Sequence, residues 1–162
     1  MSGTDLAPVR AHLGRWGRVV RGPERAAEAT ASALVDGPVE VAGALRRPAF
    51  GAWAGRTIEE VVAEDPEGAV RWRTDVEWAP EGGESLAALC RRVDGWLAQL
   101  DDGDRVLAVA DAAVVRAAAV VALGAGPASC WRLDVGPLAV VRLQRHEGAW
   151  RLRALVERGA AT

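Results

Sequence analysis

The segment 106–124 reads VLAVADAAVVRAAAVVALG. Its first five residues, Val106 to Ala110, are apolar without a break, the pattern of a strand buried on both faces of a sheet. Asp111 follows where a helix cap belongs, residues 112–123 make an almost wholly apolar helix, and Gly124 stops it. A buried strand that leads through a capped turn into an apolar helix is the repeating element of a parallel α/β sheet.

The same alternation extends in both directions. Upstream, Leu86, Leu89, Val93, Trp96, Leu97 and Leu100 fall on one stripe of a helix that starts at Ser85 and ends by Gly103. Leu6, Val9, Leu13 and Trp16 predict a helix over 6–16, RVVR at 18–21 a short strand, and Gly22-Pro23-Glu24 the start of a helix over 24–35. A short strand is expected near 39–41, an ordered loop over 45–56, and a short helix from its cap Thr57 to Glu64. Residues 65–84, with Pro66, Pro80, Gly82 and Gly83 around Trp72 and Trp78, are the least regular part. Downstream, strands near 137–144 and 149–155 join at His146-Glu147-Gly148 as a hairpin. The sum predicts a three-layer α/β/α fold, with a mostly parallel sheet and a C-terminal antiparallel hairpin.

At 162 residues the chain has the length of one domain, and a single domain over 1–162 is expected. Half of the residues are hydrophobic, too many for a disordered chain, and a net charge of −2 argues against a nucleic-acid partner held by phosphate contacts. All twenty basic residues are Arg, which reads as the coding bias of a GC-rich genome and gives no single Arg functional weight. Cys90 and Cys130 have no CxxC or His spacing around them, so reduced structural thiols are expected, with no metal and no cofactor. No basic stretch leading into an apolar run opens the chain, and no apolar run reaches ~18 residues without a charge. A soluble cytoplasmic protein without a membrane partner is therefore expected, and self-association is left open.

Four segments in order resemble one family. VVRGPERAAEATASAL (19–34), LRRPAFGAWAGRTIEEV (45–61), PEGGESLAALCRRVDGWL (80–97) and VLAVADAAVVRAAAVVALG (106–124) look like successive motifs of the histidine phosphatase (phosphoglycerate mutase-like) superfamily. The resemblance implies that family's α/β fold. It also implies a phosphoryl-accepting His in an Arg-His-Gly motif at the end of a first strand, and this chain begins after that point. His12, in the setting Val9-Arg10-Ala11-His12, does not reproduce the motif. Asp111 stands at the family's second active-site His, Arg47 at its loop acid, and only Arg25 matches a pocket residue. A phosphohistidine intermediate needs a nucleophilic imidazole and cations around the transferring group, so this sequence implies the fold without that chemistry.

The candidate site residues follow. Asp111, at the carboxyl edge of the sheet where open α/β folds bind ligands, is the candidate catalytic base, and a plain helix cap is its structural alternative. Arg25 and Arg47 are candidates for holding an anionic group, and Arg47 could instead pair with Asp111. Glu84 and Ser85 start a helix and reach the pocket in the sharper reading, while Arg116 tethers the sheet edge. Trp53 is read as packing. Trp72 and Trp78, in the insertion that the resemblance places over the pocket, are candidates to roof an apolar ligand. His146 is expected to face solvent at its hairpin tip.

Two functions follow. One is an enzyme repurposed for acid/base chemistry on a small, partly apolar and possibly anionic molecule. The other is a non-catalytic pseudophosphatase that binds a ligand or a protein partner. The resemblance also sets a structural question, because it implies a first strand between the strands at 18–21 and 106–110. The expected solution is that these two strands pair directly, since residues 1–10 do not alternate as a replacement strand would.

Overall fold

The computed structural model describes residues 6–156. Its helices are α1 (Ala7–His12), α2 (Arg25–Leu34), α3 (Ile58–Glu64), α4 (Pro66–Thr74), α5 (Leu86–Leu97) and α6 (Ala112–Ala122). Its strands are β1 (Arg18–Arg21), β2 (Glu40–Val41), β3 (Val106–Val109), β4 (Val140–His146) and β5 (Ala149–Val156). β2, β1 and β3 form a parallel sheet in that order, and the expected direct pairing is present: Arg18 lies opposite Val106 and Arg21 opposite Val109. β4 and β5 form a separate antiparallel pair. Their turn places Glu147 at φ 51° and Gly148 at φ 75°, the left-handed conformations that a tight two-residue hairpin requires.

Helices cover both faces of the parallel sheet. On one face, Val9 and Leu13 from α1 and its end pack with Ala27, Ala31 and Leu34 of α2 against Val109. On the other, Leu89 and Val93 of α5 meet Val114, Ala117 and Val120 of α6 over Val20. The stripe read from the sequence is the reason: Val93 is fully buried and Leu89 nearly so. β4 and β5 add Leu143 and Trp150 to this second core, while Val140 joins the first.

Three local expectations are corrected. The first helix ends at His12 rather than 16, because Gly14 and Gly17 do not hold a helix together, and Trp16 is left exposed. Residues 65–84 include a regular helix, α4: Asp65 caps it by accepting the Gly68 N–H, and Pro66 at the first position starts a helix instead of breaking one. β3 is not buried on both sides, since Ala108 in its middle is exposed. Its outer edge carries no strand among the described residues.

The loop at 46–56 is held by close backbone contact. Phe50 forms an isolated bridge with Gly83, and the Ala52 N–H donates to the Glu81 carbonyl at 2.8 Å. Gly51 lies between them at φ 52°, where a Cβ would stand 2.0 Å from that carbonyl oxygen. Glycine is required there by both conformation and space.

Candidate functional site

β1 and β3 are parallel, so the turns that follow them open at the same edge of the sheet. After β1 the chain passes through Gly22 and Pro23 to Glu24, the residue that begins α2. Its carboxylate does not cap that helix. Oε1 accepts the backbone N–H of Arg47 at 2.7 Å, and Oε2 is buried with no hydrogen-bond partner. After β3, Asp111 caps α6 and accepts the Ala113 N–H at 2.9 Å. The Arg47 guanidinium lies 5.9 Å from the centre of the Phe50 ring and makes no ion pair with Asp111 among the described residues.

Glu24, Arg47 and Asp111 line one end of a cleft of about 600 Å³. That volume falls within the range of small-molecule sites, ~300–1,000 Å³. From this end the cleft runs between β3 and β4, walled by Leu107, Val109, Val140 and Leu143, with Asp104 beside the start of β3 at the far end. Three carboxylates and one guanidinium are its charged lining, so the cleft is acidic rather than the anion pocket expected from two arginines.

The other candidates lie elsewhere. Arg25 is exposed in the first turn of α2 and does not line the cleft, and neither does Arg116. Glu84 is held in a largely buried ion pair: Arg92 Nε and Nη2 donate to its two oxygens at 2.8 and 2.6 Å, and Arg46 reaches it at 3.3 Å. Arg92 also donates to the Ala44 carbonyl, so this cluster pins α5 to the loop below it. Ser85 is buried and caps α5 through the Ala88 N–H. Both residues are structural, as helix starts commonly are.

Trp72 and Trp78 do not roof the cleft. Trp72 packs edge-on against Phe50, Trp53 and Trp131, with ring centres 6.4, 6.1 and 4.7 Å away, and Trp78 packs on Trp53 at 5.4 Å. They form a third, aromatic cluster that joins α4 to the 46–56 loop, where Trp53 is buried as expected. His12 and His146, the two histidines of the chain, lie at the end of α1 and the end of β4, and neither lines the cleft. Glu24 is the residue the sequence reading passed over. Its place after Gly22-Pro23 looks like an ordinary helix start, and its role depends on a backbone amide 23 residues away.

The chain belongs to the histidine phosphatase superfamily (branch 1), whose family model matches residues 6–158. Within it, the chain is similar to the glucosyl-3-phosphoglycerate phosphatase of Mycolicibacterium vanbaalenii, 40% identical over 77 residues, 46% of this chain and 34% of that protein. It is also 32% identical over 115 residues to the bifunctional protein Rv2228c of Mycobacterium tuberculosis, which covers 68% of this chain and 31% of that protein. The chain thus spans about a third of the length of the curated relatives it matches. Among solved structures, the mycobacterial glucosyl-3-phosphoglycerate phosphatase Rv2419c in complex with VO3 superposes with a TM-score of 0.78 at 29% identity, covering 90% of this chain and 79% of that one. Among the described residues, no helix is long and apolar enough to cross a membrane.

Proposed function

We propose that this superfamily member is a binding module that does not turn over phosphomonoesters. The reading is carried by one observation: the carboxyl edge of the sheet holds two carboxylates and Arg47 around an apolar cleft, and neither histidine of the chain reaches it. Neither histidine of the given sequence lines the cleft, and its acidic lining disfavours a phosphate dianion. The ligand this lining suits has an apolar body and positive rather than negative ends.

The test pairs two measurements on the purified chain. Hydrolysis of p-nitrophenyl phosphate should stay at background across pH 5 to 8, and a thermal-shift screen of small molecules should favour apolar cations over phosphate esters. Turnover that disappears in Asp111→Asn would overturn the reading. The position of Asp111 at the cleft end supports a second reading, acid/base chemistry on a bound small molecule, with the carboxylate as base. A hit from the screen that is chemically altered on incubation, and left intact by Asp111→Asn, would favour it.

A further inference from the structure

The chain has two cysteines, and the fold brings them together. Cys90 stands on α5 and Cys130 in the 3-10 turn Pro127–Arg132 that follows α6, 40 positions apart in sequence. Both are free thiols, 6% and 4% exposed, in the core shared with Leu89, Val93 and Val114. Their sulfurs lie 3.9 Å apart, and a disulfide needs ~2.05 Å, so about 1.9 Å remains to be closed.

Rotation of the two side chains about χ1, with a small shift of the 127–132 turn, covers that distance. The turn is built to give. Its 3-10 geometry makes poorer hydrogen bonds than an α-helix, the Leu133 N–H reaches the Cys130 carbonyl only at 3.4 Å, and residues 123–126, Ala128 and Arg132 around it are exposed. Local opening there admits a small oxidant to sulfurs that are otherwise closed to solvent.

The two thiols are not equivalent. Cys130 donates its S–H to Cys90, and this contact, with the charge of Arg91 and against the cost of burial, holds the Cys90 thiol below its ordinary range. The same contact and burial push Cys130 upward. Cys90 is thus the first to act as a thiolate, and Cys130 is the thiol that answers it. A second cation serves the pair. Arg116 on α6 acts on Cys130, its Nε is buried without a hydrogen-bond partner, and it makes no ion pair among the described residues.

We propose that Cys90 and Cys130 are an oxidation site, which hydrogen peroxide closes to a disulfide within the folded chain and a dithiol reopens. The Cys90 thiolate attacks one peroxide oxygen; the O–O bond breaks, the other oxygen leaves as hydroxide and is protonated to water, and Cys90 becomes a sulfenic acid. The Cys130 sulfur then attacks the Cys90 sulfur. The S–S bond forms, the S–O bond breaks, and the hydroxide leaves as water with the Cys130 proton. Two thiols and one peroxide give one disulfide and two waters. The bond ties α5 to the 127–132 turn and closes a loop that contains β3 and all of α6, so oxidation makes the segment carrying Asp111 harder to open. It holds whatever the cleft binds.

The test treats the whole chain, reduced and freed of reductant, with hydrogen peroxide in native buffer and separately in concentrated urea. The native sample should become two hydrogens lighter, lose both titratable thiols, stay monomeric on a non-reducing gel and yield one tryptic species that joins residues 74–91 to 117–132. Its melting temperature should rise by about 5 °C and return to the reduced value with dithiothreitol. Cys130→Ser, which lacks the resolving thiol, should hold the sulfenic acid at Cys90 and take up dimedone, while Cys90→Ser stays unlabelled. Two thiols left after excess peroxide, dimers in place of the internal bond, a link that forms only in urea, or a linked chain that melts below the reduced one would overturn the proposal. The opposite dimedone pattern would overturn Cys90 as the attacking thiol. The mass and melting measurements on the wild-type chain decide the rest even where a serine variant does not fold.

Discussion

Glu84 shows how one carboxylate can look like a ligand group and act as a fastener. Its ion pair with Arg92 leaves both side chains about one tenth exposed, and removing one partner of such a pair leaves the other charge buried and uncompensated. Glu84→Gln should therefore cost about 3–5 kcal/mol, read as a fall in the urea midpoint, while binding in the cleft is kept. At Cys130, the contact with the Cys90 thiol, Sγ to Sγ 3.9 Å, and then burial push the thiol above its ordinary range. The folded chain keeps that proton where the unfolded chain loses it, so this contribution to stability is complete below about pH 8.5 and declines as pH rises above it. Thermal melts from pH 7 to 10 should show wild type losing stability relative to Cys130→Ser as the pH rises, and parallel curves would contradict this assignment.

Elements were readable where a local pattern also determined the packing. The stripe from Leu86 to Leu97, the strand within 106–110 with its capped helix, and the hairpin before Ala149 are all present, because period, turn and cap residues already set where each element lies. α4 was hidden by Pro66, which reads as a breaker unless Asp65 is recognised as the cap before it. The site was legible only in part. Asp111 and Arg47 follow from their places after a strand and in a loop, whereas the fate of Trp72 and Trp78 depends on which rings approach them from Phe50, Trp53 and Trp131. Since those rings form a core, Trp72→Ala should destabilise the chain by about 3 kcal/mol or more and leave small-molecule binding in the cleft within twofold. A strong loss of binding with an unchanged melting temperature would restore Trp72 as a lid.

For the whole molecule, the division between the three-stranded sheet and the β4–β5 pair sets how stability is distributed. No ladder joins the two among the described residues, and the pair is held by Leu143 and Trp150 in the core, by Arg145 donating to the Leu100 carbonyl, and by the Glu147 N–H on Asp102 at 2.7 Å. Native-state hydrogen exchange should show the β4–β5 amides opening at a lower free energy than those of β1, and exchange of both in one step would contradict it. Strand order of this kind is a tertiary property, which is why the place of β3 at the end of the three-stranded sheet among the described residues was not visible in its sequence. The parallel pairing of Val20 with Ala108 also has a consequence in time. A ribosome adding about 5–20 residues per second makes Ala108 some 4 to 18 seconds after Val20. Throughout that interval Val19 and Val20 have no partner on that side, so the nascent chain carries an uncovered apolar edge for whole seconds before its sheet can close.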